Sequence, residues 1–217
     1  MNEYQQPTTF SDAEIFTKIW TSPRKVFAYI NDNHYDKFLI VLLFLAGIAR
    51  AFDRAVGKDM GDKAPLWMIV VLAIVIGGLL GWISYLIYAA FVSWTGKWLN
   101  GQGNTRSILR IMAYASIPSC LALVLLIPKI GVYGNELFMS DGDLTSAGWI
   151  GNVIFWSSFL LGLVLEIWSI VLFVIGVSEV QKFSKWKAFF NLLLPILFLV
   201  AFVLIVAFLI VLIKDFK

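Results

Sequence analysis

The chain has one histidine and one cysteine in 217 residues, and only 14% of it is Asp, Glu, Lys or Arg. With His34 alone, paired-histidine zinc motifs such as H-E-x-x-H and histidine-based phosphatase sites are excluded. Cys120, alone in an apolar run, excludes an internal disulfide and a thiolate metal cage. No G-x-S-x-G sequence occurs, and the long apolar runs hold no Asp that would form a carboxylate pair with Glu166. The expectation is therefore a protein without catalysis, cofactor or metal. His34, among Asn31, Asp32, Asn33 and Asp36, reads as solvated or facing headgroups. Asp141-Gly142-Asp143 reads as a solvated turn, because calcium takes about six to eight oxygen ligands. The net charge of +3 is small and scattered over helix flanks, so no nucleic-acid partner is expected.

What the chain has in abundance is apolar sequence. Hydrophobic residues make up 60%, against roughly 45–50% in an average soluble domain. They are gathered into runs longer than the roughly 18 residues that argue a membrane span. This composition predicts an all-α fold, a polytopic membrane helical bundle of five transmembrane helices with an N-terminal amphipathic helix pair. Residues 1–37 form a cytoplasmic segment, with no short apolar core or cleavage site of a secretory signal, and residues 38–217 form the membrane domain.

Ser11 and Glu14 have capping-box spacing, with Phe10 and Ile15 placed as a hydrophobic staple. A helix is predicted from about Asp12 to Thr21, and Ser22-Pro23 starts a second. Ile15, Phe16, Ile19, Trp20, Val26, Phe27 and Ile30 recur at helical spacing, with Lys18, Arg24 and Lys25 between them. The pattern suits a pair lying on the membrane with Trp20 and Phe27 as interfacial anchors. A pair packed on the ends of the spans has the same pattern.

The first apolar run, Phe38 to Ala49, covers about 18 Å of a core roughly 30 Å thick. It crosses only if Lys37 and Arg50 snorkel or its polar end is sheltered; otherwise it is a half-inserted hairpin. The second run, Leu66 to Trp94, carries Gly77 and Gly81 in G-x-x-x-G spacing, a candidate helix-packing face. The third, Ile111 to Ile127, should be kinked at Pro118, with Ser116, Ser119 or a neighbouring helix satisfying the freed backbone. The fourth, Trp149 to Val177, contains Glu166, and the fifth, Ala188 to Ile213, is the most uniformly aliphatic.

With five spans, Lys18, Arg24, Lys25, Lys37, Lys97, Arg106, Arg110, Lys182, Lys185 and Lys187, ten in all, fall on the N-terminal side. Arg50, Arg54, Lys58, Lys63, Lys129, Lys214 and Lys217, seven, fall opposite. The positive-inside rule then puts the N-terminus in the cytoplasm and the C-terminus outside. Without the first crossing the N-terminus stays inside but the later loops flip, giving eleven against six, so charge does not choose between four and five spans.

The stretch GKWLNGQGNTRSILRIMAYASIP, Gly96 to Pro118, resembles the Yip-domain family, named for proteins that bind Ypt/Rab GTPases in eukaryotes. IWTSPRKVFAYI, Ile19 to Ile30, and GVSEVQKFSKWKAF, Gly176 to Phe189, resemble its prokaryotic branch. The resemblance implies five spans, a cytosolic N-terminus and a prokaryotic cytoplasmic (inner) membrane. Eukaryotic members are tied to ER and Golgi vesicle traffic, but the N-terminal segment here is much shorter than the cytosolic domain usual there, so a Rab-binding role is not expected.

Arg106 and Arg110 lie at i, i+4 where the third helix meets the membrane, beyond a loop made flexible by Gly96, Gly101 and Gly103. They are candidate lipid-phosphate contacts or ordinary positive-inside anchors. Glu166, with Ser116, Ser119 and Tyr85 at similar depth, is a candidate intramembrane site or a structural hydrogen-bonded group. Trp186 is a third interfacial anchor. The leading expectation is a membrane scaffold or adaptor whose partners are lipids, other membrane proteins or further copies of itself. The alternative is a small-solute or ion transporter or channel using Glu166.

Overall fold

Helices account for the architecture, with no strand among the residues that the computed structural model describes, 10–144 and 147–215. Met1–Thr9 of the cytoplasmic segment, and Lys217 of the charge count, lie outside the described residues.

Helix α1 (Asp12–Lys18) opens on the capping box: the Glu14 N–H donates to Ser11 Oγ, and the Ser11 N–H donates to the Glu14 carboxylate at 2.9 Å. Helix α2 (Pro23–Asp32) begins with Pro23 in its first turn, while the Ser22 side chain makes no cap bond. Their shared stripe faces protein. Ile15, Ile19, Val26, Phe27 and Ile30 are all 0% exposed, in one cluster with residues of α6 (Thr105–Ala115) and α8 (Gly148–Gln181). This corrects the surface-lying reading: Phe27 anchors nothing in lipid, and Trp20 is half-buried against the same cluster. An apolar stripe is blind to whether its floor is bilayer or protein, and here the ends of α6 and α8 supply the floor.

Helix α3 (Leu39–Gly57) is longer than the apolar run that announced it, because Arg50, Asp53 and Arg54 continue the helix instead of ending it. At 1.5 Å per residue its 19 residues reach about 28 Å. After a 3₁₀ turn at Met60–Asp62, α4 (Leu66–Leu72), a π-helical turn (Ala73–Gly78) and α5 (Leu79–Trp98) run on as one rod. The third rod breaks at Ser116 into α6 and α7 (Ile117–Tyr133), with Pro118 in the first turn of α7. There the Ser116 hydroxyl donates to the Ala113 carbonyl, and the Ser119 N–H donates to Ser169 Oγ of α8. A 3₁₀ turn, Gly134–Phe138, follows. The long helix α8 and then α9 (Lys185–Asp215), with Pro195 inside it, complete the order.

Among the described residues four stretches are long and apolar enough to cross a membrane: Leu66–Trp98, Thr105–Phe138, Gly148–Gln181 and Lys185–Val211, with mean hydropathy 2.6, 2.0, 2.6 and 3.3. Of the five expected crossings these are the last four; α3, the conditional first one, stays out of the set because three charges lie in its second half. The connections gather at two ends. At one, the start of α3 meets α6, and Gln181 at the end of α8 meets the 99–104 loop. At the other, the Asn135 side chain donates to the Gly61 carbonyl and Ser140 donates to Asp62. Helix α3 joins the two ends, wedged against the π turn, α5 and α7.

Candidate functional site

Three polar constellations sit on this frame. The first is at the α1–α2 end, where Asp36 precedes α3. Its carboxylate accepts from Arg110 Nε at 2.6 Å and from Arg106 Nη2 at 2.7 Å. The i, i+4 spacing does put both guanidiniums on one face, but that face meets Asp36. Arg110 is 2% exposed and cannot reach a lipid phosphate, which corrects the expectation for it; Arg106 stays largely exposed. A buried guanidinium needs a carboxylate more than a headgroup needs a guanidinium. The Arg110 hydrogen bond, against partial burial and with help from Arg106, holds the Asp36 carboxyl below the usual range. Beside it, Asp12 accepts from Lys37 and, at 2.6 Å, from the Tyr35 hydroxyl, and these bonds lower its pKa.

The second surrounds Gln181, wholly buried. Gly103 N–H donates to its Oε1 at 2.8 Å. A Cβ on Gly96 would fall 2.1 Å from Gln181 Nε2, and one on Gly101 2.2 Å from Oε1. These glycines therefore make room for a side chain, and the flexible-loop reading gives way to a packed one. Nearby, Thr95 donates to the buried Asn191 at 2.9 Å, and Asn191 donates to the Val92 carbonyl. Tyr88 donates to the Leu192 carbonyl, three residues before Pro195, at 2.7 Å. Trp186, in the first turn of α9, is 76% exposed.

The third lies within the spans. Glu166 lines a cleft of about 270 Å³ between α3, α7 and α8, together with Asp53, Lys129, Ser119 and Ser158. On the other side a groove of about 950 Å³ is lined by Arg50, Arg54, Tyr85, Ser116 and many apolar side chains from α5, α8 and α9. Ser119 lines both, and its hydroxyl donates to Ser169 at 2.8 Å. Of the four residues grouped in the sequence, Glu166 and Ser119 thus share a cleft, whereas Tyr85 and Ser116 face the larger groove. Sequence alone presents Lys129 and Arg50 as flanking charges and does not mark Asp53. The available signal was rotational: Arg50 and Arg54 share a helical face, and Asp53 lies about 100° from Arg54.

Gly77 and Gly81 meet a third glycine. A Cβ on Gly47 would stand 2.2 Å from the Gly77 carbonyl oxygen, and one on Gly81 2.6 Å from Gly47 Cα, so α3 and the second rod touch backbone to backbone.

Comparison with curated proteins and with solved structures returned no match. A family model described as the Yip1 domain matches residues 17–208, from the end of α1 through most of α9, and the chain therefore belongs to the Yip1 domain family.

Proposed function

We propose that this Yip-family protein is a membrane-embedded scaffold or adaptor, not an enzyme, whose partners are lipids, other membrane proteins or a second copy of itself. One observation carries the reading: the spans leave most of their apolar surface uncovered. Only 6% of the most apolar window of Lys185–Val211 is buried, and 22% of those in Leu66–Trp98 and Gly148–Gln181. Both clefts among the described residues are open at the side of the bundle. In the proposed arrangement α3 is a fifth crossing, supported by its reach of about 28 Å and by the glycine contact that shelters it. The N-terminus then lies in the cytoplasm and the C-terminus outside, in a prokaryotic cytoplasmic membrane.

Glu166 beside Asp53, Lys129 and Ser119 favours a second reading, a transporter, because ionisable side chains within a span often mark ion pathways. Purified protein in liposomes separates the two. A scaffold gives no flux of protons, ions or small solutes above empty vesicles; reproducible flux abolished by Glu166→Gln overturns the scaffold.

A further inference from the structure

The larger groove combines two features that call for one kind of occupant. Its volume of about 950 Å³ is at the upper end of what small-ligand sites enclose. Phe91, Trp94, Phe198 and Phe202 give it an exposed apolar wall. At its polar end stand Arg50 and Arg54, and neither takes part in an ion pair among the described residues. The Arg50 guanidinium lies 5.9 Å from the Tyr85 ring centroid. Asp53, the nearest acidic neighbour in sequence, lines the opposite cleft with Lys129 and attracts Arg50 only through space, without an ion-pair contact. In the proposed crossing, Arg50 is about 17 Å and Arg54 about 23 Å from Leu39 along α3, which leaves them about 13 and 7 Å from the far face of a core roughly 30 Å thick. Charges at such depth are ordinarily paired or face water.

We propose that this groove binds an anionic phospholipid of the bilayer, its phosphate between Arg50 and Arg54 and its acyl chains along Phe91, Trp94, Phe198 and Phe202. Charge complementarity selects the headgroup, since a guanidinium grips phosphate through paired N–H donors. The apolar wall selects an amphiphile over a free anion. The head lies toward the end where α3 finishes, and the tails run toward Trp94. This site rests on the lipid-binding part of the scaffold reading and gives it an address.

Native mass spectrometry of the full chain, offered phosphatidylglycerol and phosphatidylcholine at equal concentration, tests the assignment. The wild type should retain phosphatidylglycerol preferentially. Each arginine near an anionic headgroup accounts for on the order of fivefold in affinity, so Arg50→Gln/Arg54→Gln should weaken retention about thirtyfold. Arg50→Lys/Arg54→Lys should keep most of the preference and controls for folding, and Arg106→Gln, at the other end, should behave as wild type. A photoactivatable phosphatidylglycerol should label the segments around Trp94 and Phe198. Unchanged preference in the glutamine variant overturns the site. So does displacement of the lipid by millimolar inorganic phosphate, or crosslinking through the groove to a second copy alone. Each of these leaves the scaffold reading intact, because only Glu166-dependent flux removes that.

Discussion

Arg110 shows how a single side chain changes meaning once its partner is known. Its i, i+4 relation to Arg106 was legible in the sequence, but Asp36, 74 positions away, was not. Asp36→Asn leaves the Arg110 guanidinium buried without a counter-charge and should lower stability by about 2 to 3 kcal/mol. Arg106→Gln, at an exposed position, should cost under about 1 kcal/mol. Thermal melts in detergent compare them. Because the folded-state pKa of Asp36 is depressed, its contribution is complete above the ordinary Asp value of about 4 and drains as the pH falls below it. The gap between wild type and Asp36→Asn should therefore close on acidification. Gln181 teaches the same lesson. Three glycines in a loop suggest flexibility until the amide they surround is seen, and Gly96→Ala should destabilise by about 1 to 3 kcal/mol through overpacking.

Elements were legible where their signals were local. The capping box, Pro23 in the first turn of α2 and the break near Pro118 depend on neighbours within one turn. The length of α3 was not, because hydropathy stops at Ala49 while the helix continues through charges that look into two clefts. The π turn was also out of reach: Gly77 and Gly78 permit it, but only the approach of Gly47 shows why the backbone is there. That contact predicts unequal tolerance among glycines. Gly47→Val drives a side chain into the Gly77 carbonyl and should cost at least about 3 kcal/mol or prevent folding. Gly131→Ala, with nothing within 4 Å, should be neutral or slightly stabilising. Yield and melting temperature of the two variants in one detergent check this; equal behaviour contradicts a backbone-to-backbone packing of α3.

At the scale of the whole molecule, composition reads out a membrane bundle without further help, and the order of the apolar runs matches the order of the rods. What patterning does not reveal is which surface an amphipathic helix covers, so α1 and α2 changed from a bilayer raft to a lid on protein. The proposed five-crossing topology is checked by labelling. With Cys120 removed, a cysteine replacing Ser140 should react with an impermeant thiol reagent from outside and one replacing Ser184 should not; the reverse pattern contradicts the arrangement. Helix α9 carries a last consequence. Its buried residues, Ala188, Asn191, Leu192 and Pro195, all precede Ile196, and from there to Val211 every residue is exposed. Two different selection regimes therefore act on one helix. Before Pro195 a substitution must respect the shape of a neighbour, whereas beyond it, apart from Phe198 and Phe202 in the groove, affinity for hydrocarbon dominates and Leu, Ile, Val and Phe are nearly interchangeable. A deep mutational scan scored by folded protein should show a step in permissiveness at Pro195, with charges rejected on both sides and shape rejected beyond it only at the groove positions Phe198 and Phe202.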